Sequence, residues 1–287
     1  MSELADFSAL AELRIVLVEP AGALNVGSVA RIMKNMGLKQ LVLVNPQCDH
    51  QGDEARKMAV HARDLLERAF VVPDIPAALQ NCQRAIATTA RERSLETPLV
   101  PPRSGLSWLL QHPSALIFGP EDRGLSNQEL NYAQRFVRIP SNPDYPSLNL
   151  AQAVAVCCYE LYQMALTTDG SLPQAFPDQG FIAQTPVLSE DSVNNSVSLD
   201  FLEDYYQQLE HLLLKIGYLY PHTAKSRMEK FRRLFNRANL SAVEVAMLRG
   251  IFSQVEWAIE NFQKSSTVDD TLGTQPRPLG DTLRDSE

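Results

Sequence analysis

Short, continuous apolar runs alternate with helical patterns over the first two thirds of the chain. Candidate strands are RIVLV (Arg14 to Val18), LVLVN (Leu41 to Asn45), AIATT (Ala85 to Thr89), ALIFG (Ala115 to Gly119) and FVRIP (Phe136 to Pro140), with a weaker one at Phe70 to Val72. Between them fall helical stretches, among them DEARKMAVHARDLLERA (Asp53 to Ala69) and SLNLAQAVAVCCYELYQMAL (Ser147 to Leu166). Apolar strands alternating with helices predict an α/β fold with a parallel sheet covered on both faces. Ligands of such sheets gather at the loops leaving the carboxyl ends of the strands.

After Leu166 the pattern dissolves into Pro, Gly, Ser, Asn and Asp, and helical periodicity returns from Leu199 in three segments. The expected division is therefore 1–168 for the α/β domain, 169–198 for a linker, 199–263 for a small all-helical unit and 264–287 for a disordered tail. A unit that small needs something to pack against.

Composition narrows the class. Of 287 residues, 45% are apolar and 21% charged, ordinary for a globular protein able to build a core. No window approaches the ~18 apolar residues of a membrane span, and the start MSELADFSALAELR lacks a basic-then-apolar signal, so a cytoplasmic location is expected. Cys48, Cys82, Cys157 and Cys158 have no CxxC spacing and read as reduced, mostly buried thiols, with no ligand cluster for zinc. The net charge of −8 argues against a generic charge-driven nucleic-acid binder but leaves room for a local basic surface.

Four strand-end loops carry unusual chemistry. The first passes through Asn25-Val26-Gly27-Ser28 into a helix that carries Arg31. Gly27 permits close backbone approach, and capping alone accounts for Asn25 and Ser28. It does not account for Arg31: in the first helical turn a cation opposes the helix dipole at a cost of about 0.3–1 kcal/mol, which a bound anion would offset. The second loop, GPEDRGLSNQEL (Gly119 to Leu130), ends in a capping box of Ser126 and Glu129, and places Glu121 to accept loop amides or orient an arginine. The third, IPSNPDYPSLNLAQAVAV (Ile139 to Val156), is bounded by prolines and delivers Ser147 and Asn149 to an apolar helix; Ser147 reads equally as a plain N-cap. The fourth follows Ala85 to Thr89, whose small residues admit a flat ligand. Arg91 and Arg93 come next, either solvated or facing phosphates. No GxGxxG follows the first strand and no GxxxxGK[ST] occurs, which argues against Rossmann and P-loop sites.

In this order the loops resemble the SPOUT superfamily of RNA methyltransferases. The match lies in NVGSVAR (Asn25 to Arg31), ALIFGPEDRGLS (Ala115 to Ser126) and IPSNPDYPSLNLAQAVAV. Among its TrmH-like members the chain is most similar to the TrmJ branch of tRNA ribose 2'-O-methyltransferases, which act at nucleotide 32 of the anticodon loop. That likeness runs from Leu13 to about Phe262 and adds RIVLVEP, TTARER and KFRRLFNRA. It implies a trefoil-knotted α/β domain, which periodicity cannot predict, and a homodimer whose active site is completed across the interface.

The resemblance also implies roles for residues. S-adenosylmethionine would lie against Thr88, Thr89, Ala90, Gly119, Ile139 and Pro146-Ser147-Leu148. Arg31 corresponds to the family's catalytic arginine with Asn25 beside it, Ser147 and Asn149 to the polar pair of the third motif, and Glu121 to the acid of the second. Arg31 would grip the phosphate next to the target ribose and polarise its 2'-hydroxyl. A guanidinium holds its proton too firmly to serve as a base, so the phosphate would take the proton. No metal is implied, because the methyl leaves an already charged sulfonium.

The helical unit supplies the basic surface. Lys225, Arg227, Lys230, Arg232, Arg233 and Arg237 crowd one segment in which Glu229 is the only acid. They read as RNA contacts together with Arg31, Arg91, Arg93 and Arg123, or else as a solvated helix on an acidic neighbour. Tyr205, Tyr206, Phe231 and Phe235 recur at helical spacing and read as core. The sequence leaves open base preference and target position, a ribosomal-RNA enzyme, or a non-catalytic RNA-binding protein on the same fold.

Overall fold

A computed structural model describes residues 8–90, 98–168 and 197–269. Arg91, Arg93, most of the expected linker and the chain beyond Asp269 lie outside the described residues. In chain order the elements are α1 (Ser8–Glu12), β1 (Arg14–Val18), α2 (Ala23–Asn35), β2 (Gln40–Val44), α3 (Asp53–Ala59), α4 (Arg63–Glu67), β3 (Phe70–Val72), α5 (Ile75–Ala78), β4 (Arg84–Thr88), β5 (Leu99–Val100) and α6 (Pro102–Gly105). A 3-10 turn (Leu106–Gln111) comes next, then β6 (Ser114–Phe118), α7 (Asn127–Leu130), β7 (Arg135–Val137) and α8 (Leu150–Thr168). The helical unit comprises α9 (Leu199–Lys215), α10 (Pro221–Ala238) and α11 (Ala242–Asp269). The last helix thus runs into the stretch expected to be tail.

The seven strands form one parallel sheet in the order β3-β2-β1-β6-β4-β7-β5. Within each strand successive side chains face opposite sides. Ile15, Leu17, Leu41, Leu43 and Leu116 join one core with α2, α3, α4 and α8. Val16, Val18, Val42, Ala87 and Ile117 join a second with α5, α7 and the helical unit. That second core is continuous with α9: the Leu199 amide donates to the Cys82 carbonyl at 2.8 Å, and Asp200 accepts the Asn81 amide at 3.2 Å. Tyr205 and Tyr206 are buried, and Tyr205 packs edge-on to Phe235 and stacks on Phe252. All four cysteines are free, and three are buried.

Two expectations need correcting here. The helix expected over Asp53 to Ala69 is broken at Val60, which takes φ 53° between α3 and α4. Arg31 is not in the first turn of its helix: α2 begins at Ala23 with Gly22 as its cap, so Arg31 lies more than two turns in. The helix dipole is spent by that point, and the case for an anion drawn from it falls.

Candidate active site

β6, β4 and β7 are neighbours in the sheet, so the loops leaving their carboxyl ends converge. The turn after β4, the Gly119–Leu125 loop after β6, and Ile139 with Pro146–Leu148 after β7 wall one cleft. All eight residues named for the cofactor line it. So do Phe118, Leu125, Val137 and Ala153, which the sequence reading missed; inward register on strand or helix could have marked Phe118, Val137 and Ala153, while Leu125 lies in a loop with no such signal. Thr88 Oγ1 donates to the Ile117 carbonyl at 3.1 Å, and the Thr89 amide to that of Val137 at 3.0 Å, stitching the three strand ends together. Gly119 is obligatory, because a Cβ there would stand 2.4 Å from the Leu125 amide nitrogen.

Three of the motifs meet beside the cleft in one hydrogen-bonded chain. Glu121 Oε1 accepts from Asn25 Nδ2 at 2.9 Å and from the Gly22 amide at 3.2 Å, while Oε2 accepts from the Ala21 amide at 3.1 Å. Asn25 Oδ1 then accepts from Asn149 Nδ2 at 3.0 Å, and Asn149 Oδ1 accepts from the Ala151 amide at 2.9 Å. A carboxylate only accepts, so it fixes which way Asn25 points, and Asn25 in turn fixes Asn149. The Asn149 amide donates in turn to Gln152 Oε1 at 3.2 Å, so Asn149, not Ser147, caps α8. Burial pushes the Glu121 carboxyl up, but the bonds from Asn25, Ala21 and Gly22 outweigh it and hold it below its ordinary value. It is ionised at neutral pH.

The remaining polar residues divide sharply. Ser147 lines the cleft, and its hydroxyl has no partner among the described residues. Asn25, Arg31 and Asn149 stand outside the lining. Arg31 is exposed on α2 and makes no ion pair among the described residues. Gly27, one turn before it, brings α3 close: a Cβ there would be 2.2 Å from the Ala55 carbonyl oxygen. Arg123 lines the cleft but is engaged, with Nη2 2.6 Å from Glu19 Oε2 and Nη1 2.8 Å from Glu129 Oε2. These bonds raise its already high pKa, and they clasp the second loop to Glu19 at the end of β1.

Comparison with known proteins agrees with this geometry. The family model described as the SpoU rRNA Methylase family matches residues 12–159, and the one described as the tRNA methyltransferase TrmJ C-terminal domain matches residues 200–267. The chain is 38% identical over 252 residues, 86% of its length and 95% of the relative's, to the tRNA (cytidine/uridine/adenosine-2'-O-)-methyltransferase TrmJ of Pseudomonas aeruginosa. The chain belongs to the SpoU methylase family, within its TrmJ group. The TrmJ of Escherichia coli K12, named a tRNA (cytidine/uridine-2'-O-)-methyltransferase, is 38% identical over 86% of this chain and 96% of its own. Among solved structures, TrmJ from Z. mobilis superposes with a TM-score of 0.71 at 28% identity, covering 85% of this chain and 98% of the other.

In the TrmJ-type helical unit the expected basic cluster splits. Lys225, Arg227, Lys230 and Arg237 are exposed on α10. Arg232 is not: it forms a two-pronged pair with Glu203 at 2.5 and 2.6 Å, its guanidinium 4.5 Å from the Tyr206 ring centre and 5.4 Å from that of Tyr132. Arg233 faces the α/β domain, where its Nε lies 3.4 Å from Asn131 Oδ1. Both were expected at RNA; in this structure Arg232 ties α10 to α9, and Arg233 reaches the α/β domain.

Proposed function

We propose that the protein is an S-adenosylmethionine-dependent tRNA ribose 2'-O-methyltransferase acting at nucleotide 32 of the anticodon loop, as a homodimer of knotted domains. The observation that carries this reading is the cleft at the ends of β4, β6 and β7 with the Glu121–Asn25–Asn149 chain locked beside it. Relatives covered nearly end to end and named as tRNA 2'-O-methyltransferases supply the substrate class.

The cleft suits the cofactor. Leu125, Val137, Ile139 and Leu148 give apolar walls for a flat heteroaromatic ring, and the loop backbone around Thr89 and Gly119 offers polar groups to read its edge. Bound there, S-adenosylmethionine supplies an electrophilic methyl that a ribose oxygen can accept. Ser147, with its hydroxyl unengaged, orients the ribose. Both ends of the Asn25 and Asn149 amides are already occupied, so these two residues position rather than touch substrate. Arg31 holds the phosphate beside the target ribose and draws charge from the 2'-hydroxyl. The hydroxyl proton passes to a phosphate oxygen and then to water.

Arg31 stands outside the lining of its own chain's cleft, which favours a site shared between two copies. Half-exposed Tyr159 and neighbouring Val156 on α8 offer an apolar face for that contact. The four exposed cations of α10 are placed to take tRNA phosphates.

The test is methyl transfer from labelled cofactor to total tRNA, with the modified nucleotide mapped by resistance to alkaline cleavage. Wild type should modify position 32, and Arg31→Ala should lose about 100-fold or more in rate while staying folded. Modification of ribosomal RNA alone would favour the ribosomal enzyme. Tight tRNA binding without transfer would leave only a binding protein.

A further inference from the structure

A second concave cationic surface lies on the α2–α3–α4 side of the molecule. Lys34, Lys57, His61 and Arg63 line one depression together with Val60, and Asp64 is the only acid in its wall among the described residues. That acid is taken, because Lys34 Nζ stands 2.6 Å from Asp64 Oδ1 and 2.8 Å from the His61 carbonyl oxygen. Lys57 and Arg63 are exposed and have no carboxylate partner among the described residues. Like charges converging on one hollow repel one another, and in a protein of net charge −8 their gathering there favours an anionic occupant.

The backbone beneath is unusual as well. Val60 sits at φ 53°, ψ −100°, a conformation ill suited to a β-branched residue. The turn it makes aims the next carbonyl, that of His61, onto the Lys34 ammonium and so fixes that cation in the wall.

Position decides what the anion is. Lys34 lies one turn after Arg31 on α2, so their side chains are neighbours. At Gly27, one turn before Arg31, the backbones of α2 and α3 are in close contact. Arg31 therefore stands between the Asn25 end of the hydrogen-bonded chain and the depression. Through Lys34 the wall of the depression begins one helical turn from Arg31, and Lys57 and Arg63 continue it. We infer that this depression is a phosphate-backbone subsite that carries the tRNA strand away from Arg31. The inference rests on the reading of Arg31 as the group that holds the phosphate beside the target ribose.

The experiment compares full-length wild type with Lys57→Ala/Arg63→Ala, and with Lys39→Ala as an exposed cation off the depression. Kd for tRNA is measured across a salt series. The double variant should bind roughly tenfold more weakly near 100 mM salt, and its plot of log affinity against log salt should be shallower by about 1.4, two lost contacts at ~0.7 each. Lys39→Ala should match wild type. Equal affinity and slope for the double variant would overturn the inference, as would an equal loss in Lys39→Ala, which would mean bulk charge alone. Failure of the underlying reading looks different: wild type would transfer no methyl to tRNA, or Arg31→Ala would transfer as well as wild type.

Discussion

Replacing Glu121 by Gln tests the hydrogen-bonded chain at its anchor. Three donors converge on the carboxylate, two on Oε1 and one on Oε2. A glutamine has one accepting end and one donating end, so however it turns, its NH₂ faces at least one N–H. Bonds to a charged acceptor contribute about 1.5–3 kcal/mol each and neutral ones about 1 kcal/mol. Losing one bond and neutralising two others would cost several kcal/mol in a dry site. Glu121 is exposed, so solvent screening brings the expected loss to at most about 2 kcal/mol. That corresponds to a fall of about 4–8 °C in Tm. The sign with pH comes from the depressed carboxyl. Its contribution is complete above the unfolded carboxyl's titration, near pH ~4.3, and is lost as pH falls through the lower folded value. Thermal unfolding of wild type and Glu121→Gln should therefore differ fully at pH 7 and converge in strong acid. A gap that persists unchanged in strong acid, or no gap at pH 7, would refute the role given to the carboxylate. A double-mutant cycle with Asn149→Ala should show coupling of at least ~0.5 kcal/mol, since Asn25 links the two.

Gly27→Ala should lower the urea midpoint by the equivalent of about 1–2 kcal/mol despite its better helix propensity, because the new methyl meets the Ala55 carbonyl rather than a side chain that can move. Arg232→Ala should cost about 3 kcal/mol by leaving Glu203 unpaired in a setting where both side chains are mostly buried. The double change Arg232→Met/Glu203→Leu should recover most of that in the same denaturant titration.

Strand positions are legible because runs such as Ile15 to Val18 are too short and too apolar for anything but a covered strand: β1, β2, β4 and β6 lie within one residue of the expected bounds, while β7 ends three residues early at Val137. β5 escapes notice because two residues, Leu99 and Val100, carry no period. The break at Val60 escapes because neither Gly nor Pro marks it. The start of α2 is hidden for an instructive reason. Its cap, Gly22, has no side chain, and the amides of Ala21 and Gly22 are satisfied by Glu121 from far along the chain. The motif residues stand out as a group, but which of them line the cleft and which stand behind it depends on long-range pairing. The same holds for Arg123 and Arg232, whose partners Glu19 and Glu203 share no local pattern with them. Lys34, Lys57 and Arg63 sit on three separate elements, so no charge run announces their meeting.

The docking of α9 onto the region around Cys82 has a consequence for biosynthesis. One face of the sheet is closed by α5 and α7, single-turn helices of four residues each, and such helices are marginal without outside support. Their support from α9 arrives only once Leu199 and the residues after it have been made, although β7, the last strand among the described residues, ends at Val137. At ~5–20 residues per second, the ribosome leaves that flank thinly clad for about 3–12 seconds. A nascent chain is most exposed to aggregation, and most in need of a chaperone, during that interval.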